Sequence, residues 1–178
     1  MSKAVMLSIH PKWCEKIVGG EKTIEVRKNR PKLETSFKCY IYETQGWVEK
    51  DGIMAFRLGG RVVGEFTCDR IYELETRSPG GSYYVKGEGQ PTTNDVARQS
   101  CLTLKDMHEY LQAAKGYGWH ISDLKIYDKP RELREFKKNN RDCFYADLGL
   151  AKRDCPDCKN SGCFLERPPQ SWCYVEEV

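Results

Sequence analysis

The spacing of apolar residues changes several times along this chain, and each change marks an element. Ala4 to Ile9 is a short apolar run suited to a buried strand. Pro11 follows where a first helical residue tolerates the missing N–H, and Trp13, Cys14, Ile17 and Val18 then recur at helical spacing until Gly19-Gly20 ends the helix. Directly afterwards Ile24 and Val26 share one side of the chain while Thr23, Glu25 and Arg27 share the other, the period-two pattern of a half-buried strand. Glu25 and Arg27 therefore point the same way. Lys22 has the opposite parity and can join them only from the strand's first residue, where side-chain direction is loose.

Further along, 37–42 and 60–68 read as strands from their aromatic and β-branched content. The intervening 46–59 carries no decisive pattern. Arg77 to Thr93 holds four glycines and two prolines, which predicts a long loop over a cleft. Thr103-Leu104-Lys105-Asp106 opens the clearest helix, with Leu104, Met107, Leu111 and Ala114 on one face and Gly116 as its stop. Trp119 to Tyr127 returns as one strand, Pro130 to Lys138 suits a short charged helix, and 170–176 is the closing strand. Strands interspersed with two or three helices, without regular βαβ alternation or internal repeats, predict an α+β fold.

A chain of 178 residues makes one ordinary domain, 1–178, with room for an insertion. Its net charge of +3 does not announce a nucleic-acid binder, but the local charge is less even. Residues 1–32 carry eight Lys/Arg against three Glu, and residues 125–153 carry nine against five acids. There is no bilayer-length apolar run and no secretory h-region, so the expectation is no membrane and a cytoplasmic location. Cys14, Cys39, Cys68 and Cys101 are scattered singly through predicted helix and strand, where a free thiol behaves as a small hydrophobe.

Gly20, Lys22, Glu25 and Arg27 fit the signature Gly-x-Lys-x-x-Glu-x-Arg at every fixed position. With the preceding strand, Pro-started helix and double glycine, the chain resembles the activating-signal-cointegrator homology (ASCH) family over roughly residues 3 to 128 plus the final strand. The resemblance implies a PUA-like (ASCH) small mixed β-barrel with two to three flanking helices, and a cleft for RNA or a nucleotide lined by the signature residues. It also suggests a small phage or prophage-type bacterial member. Segment 139–167 would then be a cysteine-rich insertion outside the family pattern.

The candidate binding set is Ser8, Lys12, Lys22, Glu25, Arg27 and Trp172. Lys22 and Arg27 can hold phosphate oxygens, Glu25 can orient Arg27 or accept from a base amine, and Ser8 and Lys12 flank the same helix start. Trp172, after Pro168-Pro169, is the chosen aromatic for stacking an unpaired base. The bland alternative is a surface ion pair of little consequence. Among the histidines, His10 suits a cap or the surface, His108 borders the helix's apolar face, and His120 has no identifiable partner.

Some ASCH relatives hydrolyse the acetyl amide of acetylated cytidine with a lysine and a threonine of the signature strand and a more distal glutamate. This chain keeps the lysine as Lys22, but Glu25 stands at the threonine's place and Ser100 falls where the distal acid would be. A missing hydroxyl argues against covalent catalysis by that route. Lys22 and Glu25 remain the catalytic candidates if the protein is an amidohydrolase or ribonuclease. Finally, Cys155, Cys158 and Cys163, with Cys173 ten residues on or Cys143 as a fourth thiol, leave three readings open: a structural zinc site, free thiols, or a disulfide. No other cofactor is implied. A protein partner bound through the cysteine-rich segment is a weaker alternative.

Overall fold

The computed structural model describes residues 2–77, 81–112, 115–138 and 164–178. In chain order its elements are β1 (Lys3–Ile9), α1 (Pro11–Val18), β2 (Ile24–Arg27), β3 (Phe37–Glu43), β4 (Gly46–Lys50), β5 (Ile53–Arg57), β6 (Arg61–Cys68), β7 (Ile71–Thr76) and β8 (Tyr83–Val85). Then come α2 (Thr93–Ser100), α3 (Leu104–Leu111), β9 (Lys115–His120), β10 (Ser122–Arg131), a 3-10 turn at Leu133–Glu135 and β11 (Trp172–Glu176). No described helix is long and apolar enough to cross a membrane.

The chain falls into two compact units, each assembled from separate segments. The first comprises Met1–Cys14, Lys38–Phe66 and Lys125–Val178, and the second Glu15–Phe37 and Thr67–Leu124. In the first, a five-stranded sheet runs in the order β10-β6-β3-β1-β11. β1 pairs in parallel with β3 and antiparallel with β11, so it is an interior strand. That position explains its composition: Ala4, Val5, Met6 and Leu7 are all fully buried, as a continuous apolar run requires of a strand covered on both faces. Tyr40, Val62, Phe136, Leu165 and Val175 complete this core.

The second unit is a four-stranded sheet, β2-β9-β7-β8, with α2 packed on β2, β8 and α3. Ile24, Val26, Tyr72, Leu74 and Tyr83 from the strands meet Val96, Ala97, Met107 and Leu111 from the helices. Both helices start on a Thr-x-x-Asp capping box. Thr92 Oγ1 accepts from the Asp95 N–H and Thr103 Oγ1 from the Asp106 N–H, while each Asp carboxylate accepts from the cap's own N–H.

Several expectations are corrected. The described strands do not close into a barrel, because closure needs the first and last strands to pair. Here β10 and β11 are opposite edges of one sheet, and β4 and β5 pair only with each other among the described residues. Residues 46–57 form that hairpin, turning through Asp51 and Gly52. α2 lies just after the predicted loop and carries no long apolar stripe to announce it. α3 ends at Leu111 on a left-handed Gln112, and Gly116 lies inside β9 instead of stopping the helix. Residues 119–127 are two strands, and Pro130 sits within β10, where an edge strand tolerates the missing donor. The charged helix over 130–138 reduces to the 3-10 turn at Leu133–Glu135, where the N–H of the preceding cap residue Glu132 donates to the Glu135 carboxylate.

Candidate functional site

β2 is the edge strand of the second unit's sheet, paired antiparallel with β9 so that Glu25 lies opposite Trp119 and Arg27 opposite Tyr117. The strand is not half-buried, as alternation alone suggests. All four of its residues are buried, and the charges lie within the fold at exposures of 7 % for both Glu25 and Arg27. Lys22 is 3 % exposed.

Lys22 does join the pair, and the local chain explains how. Its N–H donates to Lys16 O, tying it to the end of α1, while the Thr23 N–H donates to Gln99 O at the end of α2. Thr23 still accepts from the Ile121 N–H across the sheet, so it is Lys22, tied to α1, that leaves the ladder and escapes strand parity. Its ammonium donates to Ile24 O at 3.0 Å and to Ser100 O at 2.8 Å, and it lies 3.1 Å from Glu25 Oε2. Ser100 closes α2, so the cation sits at the negative end of a helix dipole.

Glu25 spans both cations, with Oε1 3.0 Å from Arg27 Nε. The two close approaches are ion pairs rather than aligned hydrogen bonds, since neither Glu25 Oε2 nor Arg27 Nε meets hydrogen-bond geometry. Burial pushes the Glu25 carboxyl upward, but Lys22 and Arg27 outweigh it and hold the group below its ordinary value. One formal negative charge thus faces two positive ones. The wall beside them is apolar: Trp119 is fully buried and meets the Phe37 ring edge-on at 5.8 Å.

Arg27 also contacts a residue that sequence reasoning missed. The Tyr110 hydroxyl of α3 lies close enough to Arg27 to feel its charge, and burial raises that phenol's pKa against the pull of the guanidinium. Tyr110 is nevertheless 40 % exposed, and Lys28 Nζ lies 5.4 Å from its ring centroid. Nothing in the spacing of α3 ties Tyr110 to Arg27, because it stands off the Leu104/Met107/Leu111 face. The end of β2 therefore carries a buried ion cluster, an aromatic ring facing solvent and a second cation beside it.

The remaining candidates lie in the first unit. Ser8 Oγ donates to Pro169 O at 2.5 Å, Lys12 lies over the Trp13 ring at 4.9 Å, and Trp172 is half-buried against Tyr174 with centroids 5.3 Å apart. His10 Nδ1 accepts from the Lys12 N–H, in keeping with a cap. His120 does have a partner, contrary to expectation: its Nδ1 is 2.6 Å from Asp69 Oδ1. Residue 69 lies far off in sequence, and only the β7–β9 pairing brings the turn before β7 to the end of β9. The His120 bond and charge keep the Asp69 carboxyl below its ordinary value against the opposing effect of burial.

Cys143, Cys155, Cys158 and Cys163 lie outside the described residues, as does most of the 139–167 segment, while Cys173 is half-buried in β11. Among the described residues no group of His, Cys, Asp or Glu is placed to hold a metal. Cys14, Cys39 and Cys68 are buried, and burial raises the Cys68 thiol to about 12, as suits an inert core thiol. Cys101, half-buried, occupies the left-handed cap of α2.

Comparison with known proteins gives a consistent picture. No curated protein matches the chain. The crystal structure of ASCH from Zymomonas mobilis superposes with a TM-score of 0.57 at 17% identity, covering 98% of this chain and 88% of that one. A tyrosine-to-phenylalanine mutant of the Zymomonas mobilis protein superposes at 0.58, with 17% identity and coverage of 99% and 92%. A serine-to-alanine mutant of it gives 0.57, with 16% identity and coverage of 98% and 89%. At such identities the likeness speaks for the fold alone. The ASCH domain family profile matches residues 7–127, which span the Gly20–Arg27 signature and both helices behind it, and the chain therefore belongs to the ASCH domain family.

Proposed function

We propose that this protein is an RNA- or modified-nucleotide-binding module whose contact surface is the outer end of β2. RNA binding is the role generally attached to ASCH domains, and the local chemistry supports it here. The observation that carries the reading is the Arg27–Tyr110–Lys28 group. Tyr110, 40 % exposed, lies near both the Arg27 guanidinium, which Glu25 holds, and the Lys28 ammonium. Such a group offers a face for a base and cations for its phosphates.

In this reading Lys22 is a positioning residue. Its ammonium is engaged with two carbonyls and the Glu25 carboxylate, so it holds Glu25, which in turn sets Arg27. Trp172 is not required. The test is fluorescence anisotropy with single-stranded RNA at several salt concentrations. Tyr110→Ala is expected to weaken binding by about 1–3 kcal/mol, the worth of one stacked base. Lys28→Ala is expected to weaken binding and to flatten the salt dependence, having removed a phosphate contact. Wild-type affinity unchanged in both variants would exclude this surface.

The hydrolase reading places Lys22 and Glu25 in catalysis on acetylated cytidine or RNA. It requires turnover that disappears in both Lys22→Ala and Glu25→Gln.

A further inference from the structure

The most exposed apolar surface among the described residues is the β4–β5 hairpin of the first unit. Every residue of β5 is exposed, with Ile53 at 69 %, Met54 at 57 % and Phe56 at 48 %, followed by Leu58 at 73 %. Across from Phe56, Trp47 is 58 % exposed and meets it edge-on at 5.4 Å. β4 buries Val48, whereas β5 buries nothing, so β5 is the outward strand. A two-stranded hairpin is marginal in water by itself, and a flat apolar edge invites pairing.

The hairpin's own geometry says which backbone groups are open. Asp51 and Gly52 both have positive φ, the signature of a two-residue type I′ turn, with Lys50 opposite Ile53. Such a turn makes 50↔53 a hydrogen-bonded pair, and the ladder alternates from there. Ile53, Ala55 and Arg57 therefore spend their backbone groups on β4, while the N–H and C=O of Met54 and Phe56 point away from it.

We propose that this edge pairs with the same edge of a second copy of the chain, β5 antiparallel to β5 about a two-fold axis at Ala55. With Ala55 facing its own counterpart, Met54 falls opposite Phe56 of the second copy, so the outward-pointing groups meet each other and exchange hydrogen bonds. The two hairpins then form one four-stranded sheet. Self-pairing is permitted by charge as well. β5 has one charged residue, Arg57, which falls opposite Ile53 of the second copy and is already held by Glu43 at 3.3 Å. Residues 46–58 carry two acids and two bases, so the surface lacks the excess positive charge that a nucleic acid or an acidic membrane would require. A two-fold pairing of this kind is isologous and uses the same edge of each copy, so this contact closes after two copies.

The test is sedimentation velocity on the full chain from about 1 to about 200 µM, the range in which a small interface assembles. Wild type is expected to pass from monomer to dimer. Met54→Pro removes an outward N–H that the hairpin does not use, so it is expected to raise the dissociation constant at least about tenfold with the far-UV spectrum and melting temperature retained. Met54→Val restores the N–H and is expected to dimerise. Ile53→Lys, which brings a lysine opposite Arg57 of the second copy, is expected to be monomeric and covers the case in which the proline variant misfolds. A wild-type chain that stays monomeric throughout, or a dimer that survives both Met54→Pro and Ile53→Lys, overturns the proposal.

Discussion

At the residue scale the decisive feature is that Glu25 is a buried carboxylate between two cations. Replacing it with glutamine keeps the shape and leaves Lys22 and Arg27 facing each other without compensation. Glu25→Gln is expected to cost about 3–5 kcal/mol, read as a shift of the urea midpoint, because breaking a buried ion pair strands a charge. The same group sets an acid response. Its folded pKa lies below the ordinary 4.5, so its contribution to stability is fully present above that pH and is lost as the pH falls through the lower folded value. Melting temperatures measured downward from pH 6 are expected to drop more steeply below about 4.5 in wild type than in Glu25→Gln. Tyr110 gives the second residue-scale separation. Tyr110→Phe keeps the ring but removes the hydroxyl beside Arg27, so RNA affinity is expected to fall less than in Tyr110→Ala.

At the scale of elements, α2 matters more than its eight residues suggest, since its last carbonyl receives the Lys22 ammonium and Gln99 O receives the Thr23 N–H. Anything that frays α2 therefore loosens the ion cluster. Thr92→Ala deletes a cap that accepts from the Asp95 N–H, and is expected to cost about 1 kcal/mol in thermal or urea unfolding. β9 offers a steric counterpart. A Cβ at Gly116 would lie 2.6 Å from both Leu111 δ carbons, under a core that already buries Leu111. Gly116→Ala is expected to destabilise by about 1–3 kcal/mol through overpacking, and a Leu111→Ala background is expected to relieve part of that loss. The helix stop assigned to Gly116 from sequence was misplaced because glycine ends helices and also permits close approach inside sheets. Its neighbours in space decide which role it has, and those neighbours are not its neighbours in the chain.

At the scale of the whole molecule, stability is expected to be graded from β1 outward. Hydrogen exchange followed by NMR is expected to find the Val5, Met6 and Leu7 amides among the slowest, opening only with global unfolding, since this strand is fully buried between β3 and β11. The Met54 and Phe56 amides are expected to exchange fast in dilute protein. By itself the sequence determined what depends on a residue's immediate neighbours. This covers β1 from its apolar run, α1 between Pro11 and Gly20, the capped start of α3, and the ionic signature that marks the ASCH family. Even the joining of Lys22 to Glu25 and Arg27 was legible, because leaving a glycine turn loosens the parity of the next strand. The tertiary structure alone decided that these charges lie inside the fold, that Tyr110 and Ser100 complete their surroundings, and that Asp69 partners His120. It also decided that the described strands form open sheets, with a hairpin left over, rather than a closed barrel. The reason is common to all of these. Periodicity reports which side of an element is apolar, but burial of a charge and closure of a sheet depend on contacts between residues tens of positions apart.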